Sequence, residues 1–66
     1  MTFAEKVKHV RATLLISQEQ LAKELGVSYV TVSRWETKEI EPQFLTKAKF
    51  DKFCEEKGIT FESLER

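Results

Sequence analysis

The chain is short of the residues that break, staple or ligate: one cysteine, one proline, one histidine and two glycines in 66 positions. Cys54 stands alone, so no disulfide can form within the chain, and this cysteine usage predicts a cytoplasmic protein. So few turn formers argue against a strand-rich fold, which needs a turn signal every few residues. No run approaches the roughly eighteen apolar residues of a membrane span. Met1 to Lys6 lacks the apolar centre of a signal peptide. Neither sign of charge dominates, with 11 Lys and Arg against 11 Asp and Glu. That balance excludes a histone-like basic protein and an acidic tail alike.

Enzymatic equipment is equally scarce. One His and one Cys offer no helix-borne metal spacing such as His-Glu-x-x-His, and no glycine-rich phosphate loop is present. Glu55 and Glu56 are neighbours on an expected helix and so point about 100° apart, which is no acid–base pair. No catalytic residue, metal, cofactor or small-molecule ligand is therefore expected. What remains is a globular balance, 41% hydrophobic against 33% charged, in a length that fits one domain over residues 1–66.

Four helical stretches can be read along the chain. Thr2 and Glu5 have capping-box spacing, and Phe3, Val7, Val10 and Leu14 fall on one stripe, which predicts a helix from Phe3 to Thr13 or Leu14. Arg11 lies about 40° from the centre of that stripe and borders the core. Ser17 and Gln20 repeat the capping box, and Ile16 and Leu21 have the spacing of a hydrophobic staple. This second helix buries Leu21, Ala22 and Leu25 and stops at Gly26, where a left-handed residue is wanted. Ser28 can cap a third helix over Tyr29 to Glu36. Val32 points inward on it, with Trp35, Glu36 and Tyr29 on the flanks, while Val30, Ser33 and Arg34 have no core role. Thr37 to Glu41 reads as a polar loop. Pro42 suits the first turn of a fourth helix, with apolar positions at Phe44, Leu45, Ala48, Phe50, Phe53 and Cys54. Gly58 reads as its stop, and Thr60 is expected to cap a last turn burying Phe61 and Leu64. The fold class is all-α, with four to five helices.

Two short helices joined across Gly26-Val27-Ser28 have the connection length of a helix-turn-helix. Ala22, Gly26, Val32 and Trp35 fit its needs: close helix approach, a turn, and two anchors for the second helix. On these residues the stretch Leu15 to Pro42, LISQEQLAKELGVSYVTVSRWETKEIEP, resembles the Cro/repressor-type helix-turn-helix family, whose compact fold is lambda-repressor-like. The likeness is dense from Ser17 to Glu36 and loose after Pro42. It implies a helix-turn-helix core over about residues 17–36, and double-stranded DNA as the partner of a small prokaryotic or phage transcriptional regulator.

Carried over position by position, the resemblance implies that the third helix lies in the major groove with Ser28, Tyr29, Val30, Ser33 and Arg34 reading bases. Arg34 would make a bidentate contact to guanine and Val30 would pack on a thymine methyl. Ser17, Gln18, Thr37 and Lys38 would contact phosphates, and Arg11 with Glu36 would be the family's internal ion pair. Each has a plainer reading: Arg34 as a solvated arginine, Val30 as a lone exposed valine, Tyr29 packed partly on the core, Gln18 as an ordinary first-turn residue. His9 reads as a surface residue, Cys54 as a small buried one, and Phe50, Phe61 and Leu64 as core or a dimer contact.

The chain departs from the family where Thr37-Lys38 replaces a frequent Asn-Gly step, and a left-handed Lys38 would be costly. Glu39 and Glu41 stand where basic residues are frequent. Lys6, Lys8, Arg11, Lys23 and Arg34 against Glu5, Glu19 and Glu24 leave residues 1–35 at +2, and the rest at −2. A monomer so weakly charged would bind DNA weakly, so a homodimer on two half-sites is expected. The acidic second half also favours an alternative: a protein-interaction module, such as the antitoxin of a toxin–antitoxin pair.

Overall fold

The computed structural model describes residues 2–38 and 40–61. Four α-helices follow one another: α1 (Phe3–Leu14), α2 (Gln18–Leu25), α3 (Tyr29–Thr37) and α4 (Phe44–Glu56). Their beginnings are written in the caps. Thr2 accepts from the Glu5 backbone N–H at 3.1 Å while the Glu5 carboxylate accepts from the Thr2 N–H at 2.8 Å. Ser17 and Gln20 repeat that reciprocal pair at 3.1 and 2.8 Å. Each box satisfies backbone donors that a helix start leaves without partners.

Three of the helices end in one way. The chain turns left-handed at Leu15 (φ 57°), Gly26 (φ 71°) and Gly58 (φ 72°). The following residue then donates back five positions: Ile16 to the Arg11 carbonyl at 3.1 Å, Val27 to Ala22 at 3.0 Å, Ile59 to Cys54 at 2.8 Å. These are Schellman-type stops, which glycine adopts without a Cβ penalty. Leu15 is the one non-glycine residue among those described that does so. α3 ends differently, at Lys38 in the right-handed region (φ −104°, ψ −3°), so the costly left-handed lysine does not arise. Thr37 also belongs to α3 instead of opening the loop, its hydroxyl donating to the Ser33 carbonyl at 2.9 Å.

The core gathers one face from each helix. Val7 and Val10 of α1, Leu21 of α2, Val32 of α3 and Phe50 of α4 are fully enclosed. Phe3 ties three elements together, with its ring edge-on to Trp35 at 5.3 Å and tilted against Phe50 at 5.0 Å. Edge-to-face pairs of this kind add to what area burial alone provides. Ile59 is also buried, delivered to the core by the turn at Gly58. Cys54 lies in the core, where burial first and Asp51 second push its thiol up to about 11.

The fourth helix differs from the sequence expectation at both ends. Pro42 is not in its first turn: α4 begins at Phe44, and Gln43, still extended (ψ 163°), is the N-cap. Phe44, Leu45 and Ala48 do not enter the core, because they lie on the face of α4 turned away from Phe50, Phe53 and Cys54. Phe50 is fully enclosed and so offers no dimer contact, while Phe61 is half-buried against the core. The last turn expected after Thr60, with Leu64, lies outside the described residues.

Candidate nucleic-acid interface

α2 and α3 meet through Gly26, Val27 and Ser28, and α1 packs against α3 from behind. The turn works because Gly26 takes the left-handed conformation while Val27 tucks against the core. Ser28 then accepts from the Thr31 N–H at 3.2 Å, and its hydroxyl lies 2.8 Å from that of Thr31. Val32, Trp35 and Glu36 face inward, so α3 is held along its length by side chains that leave its other face free.

That other face carries Tyr29 and Val30, each about half exposed, and exposed Arg34. No carboxylate among the described residues pairs with Arg34. The face therefore offers a planar cation, a phenol and a branched apolar group on one rigid rod. A guanidinium of this kind presents two parallel donors, suited to a base edge or a phosphate. Ser28 sits at the start of this face, but its hydroxyl is engaged in the cap. Ser33 is half-buried and flanks the face instead of crowning it. Tyr29 is not part of the enclosed core.

A polar network behind the helix sets its angle. Arg11 Nε donates to Glu36 Oε2 at 2.6 Å and Arg11 Nη2 to Oε1 at 2.8 Å, a bidentate pair between α1 and the end of α3. Arg11 Nη1 also reaches the Ile16 carbonyl at 3.4 Å, just before α2. Burial raises the Glu36 carboxyl, yet the hydrogen bonds from Arg11 and Gln18 outweigh it and hold the group below the usual carboxylate range. The same pairing raises the Arg11 guanidinium. Gln18, the first residue of α2, is half-buried and lies close enough to Glu36 to help lower its carboxyl.

The remaining expected contacts lie at the edges of the surface. Ser17 is exposed but its hydroxyl caps α2. Thr37 and Lys38 are exposed at the end of α3, with the Thr37 hydroxyl turned back onto its own helix. A groove runs beside α3, walled by Thr31, Arg34 and Trp35 on one side and Ile40, Pro42 and Gln43 on the other. Thr31, which the sequence reading did not single out, stands at the capping distance from Ser28, a signal that could have found it. Exposed Glu41 lies 3.6 Å from Lys47, which offsets part of its repulsion for an anion. His9 packs its ring against Phe61 at 5.8 Å and faces none of this.

A family model described as helix-turn-helix matches residues 7–53, taking in the helix-turn-helix and most of α1 and α4. The chain belongs to the Cro/repressor-type helix-turn-helix family. That family is one of DNA-binding, non-enzymatic domains, and its all-α, lambda-repressor-like fold is the one described above. No curated protein and no solved structure matches the chain. Among the described residues no helix is long and apolar enough to cross a membrane, and no cluster of side chains is suited to a metal ion. For this helix-turn-helix domain the exposed side of α3 is the surface from which a function must be argued.

Proposed function

We propose that this helix-turn-helix domain binds double-stranded DNA sequence-specifically as a small prokaryotic or phage transcriptional regulator in the cytoplasm. The observation that carries the reading is the exposed face of α3, where Val30 and Arg34 project from a helix whose opposite side is locked by Val32, Trp35 and Glu36. A major groove about 12 Å wide admits an α-helix with its side chains. Arg34 then reads guanine through two donors, and Val30 and Tyr29 contact neighbouring bases. Ser28 and Ser33 border them. Lys38 and Thr37 lie against one backbone, and the first turn of α2, with Ser17 and Gln18, against the other. Its backbone N–H groups supply the phosphate contact there, since the Gln18 side chain bonds Glu36.

Binding is by a homodimer on two half-sites about 34 Å apart, each protomer placing one α3. On an operator duplex, Arg34→Ala lowers discrimination at one base pair by about 1–3 kcal/mol. Lys38→Ala weakens all sequences alike and lowers the salt slope by about one. Fluorescence anisotropy at two salt concentrations separates the two effects. An Arg34→Ala variant with unchanged affinity and base preference would remove Arg34 from the reading set.

A further inference from the structure

α3 stops in the right-handed region at Lys38 and α4 begins only at Phe44. The connection between them is irregular chain, and a groove of about 310 Å³ opens between it and α3. That volume lies at the small end of ligand pockets, which span roughly 300–1,000 Å³. Trp35, half-buried Pro42 and Ile40, itself 53% exposed, give it apolar walls. Three polar side chains open onto the same space. Arg34 pairs with no carboxylate among the described residues. Gln43 provides α4 with no side-chain cap, and the half-buried Thr46 hydroxyl has no hydrogen-bond partner among the described residues. No motif announces the groove, because its walls come from α3, the connection and α4.

We propose that this groove binds a small carboxylate with an apolar body, of the arylacetate kind. Charge selects the sign of the ligand. A guanidinium holds a carboxylate through two parallel donors, and Gln43 and Thr46 add donors of their own. Glu41 also borders the groove, but Lys47 engages it at 3.6 Å, which leaves Arg34 as the cation without a counter-charge. Apolar contact selects the body, since a ring laid on Ile40 and Pro42 removes their surface from water. Size selects a small molecule, because a partner's helix, about 10 Å across with its side chains, does not fit the space. Arg34 is also the residue that the proposed function places on guanine, so a filled groove withdraws it from DNA. This regulatory consequence rests on that reading; the binding site does not.

Titration with phenylacetate is the test, followed by calorimetry and by the emission of Trp35, the one tryptophan of the chain. The expected result is saturable binding, with neutral phenylacetamide weaker by more than about tenfold. Arg34→Gln abolishes that preference, so the acid and the amide bind the variant alike. Ile40→Ser, at an exposed position outside the helices, weakens both and leaves the helical circular dichroism unchanged. Absence of saturable binding to the wild type overturns the inference. So does an acid held no better than the amide, or a preference that survives Arg34→Gln. Anisotropy on an operator duplex keeps the two readings apart. Phenylacetate at about ten times its dissociation constant raises that of the duplex about tenfold if both hold. A duplex bound equally well with the groove filled overturns the regulatory consequence alone. A chain that binds phenylacetate but no duplex overturns the DNA reading, and one that binds the duplex but no phenylacetate overturns this inference.

Discussion

Glu36 shows how one residue can serve the exposed face of α3 without being on it. Its side chain is 5% exposed, yet its carboxyl is held below the usual range because Arg11 contributes two short hydrogen bonds, with Gln18 adding to the effect. A buried carboxylate with its partner removed, or a buried arginine left alone, costs far more than the pair itself contributes. Glu36→Gln is therefore expected to lower unfolding stability by about 2 kcal/mol, measured in urea, with Arg11 left short of its counter-charge. The pH dependence follows from the sign of the shift. The folded carboxyl lies below the 4.5 of an ordinary glutamate, so its contribution is complete above that value and is lost as pH falls through the folded pKa. The wild type should consequently lose stability below pH 4.5 more steeply than Glu36→Gln, and parallel curves for the two would contradict this account. Arg11 and Glu36 could be placed from the helical wheel and the family resemblance together. The bond from Gln18 could not, because a glutamine in a first turn reaches solvent, phosphate or a neighbouring acid with equal ease.

Elements were legible where their signals are local. The caps at Thr2, Ser17 and Ser28 and the stops at Gly26 and Gly58 each rest on residues a few positions apart, and each appears in the fold. The end of α1 is different. Leu15 adopts the left-handed turn that glycine would normally supply, and only the donation from Ile16 to Arg11 reveals it. Because Leu15 is 90% exposed, its side chain offers no packing to offset the strain of a Cβ in that region. Leu15→Gly should raise the stability of the domain by about 0.5–1 kcal/mol, seen as a higher thermal midpoint. A fall in the midpoint would mean the leucine makes a contact that outweighs the strain. The start of α4 failed for a related reason. Periodicity assigns Phe44 and Leu45 to faces of a helix but does not say which face the other helices cover. Pro42, which suits a first turn on propensity alone, lies one residue before the N-cap.

At the scale of the whole molecule, charge and shape point to different demands. The sequence has no net charge, and the half that contains α2 and most of α3 holds an excess of only two positive charges. Electrostatic attraction to phosphates is therefore weak, and the proposed function assigns recognition to α3 at base edges and to two copies acting together. The family and the fold establish a DNA-binding domain; the use of α3 for sequence reading is the claim that most needs a direct test. Selection of duplexes from a randomised library, followed by anisotropy of the enriched sites, tests it most directly. The account predicts an enriched palindrome with half-sites about 34 Å apart, bound about a thousandfold or more above random DNA. Salt-sensitive binding with no enriched sequence would contradict it, leaving backbone attraction alone and moving the protein-interaction reading to first place.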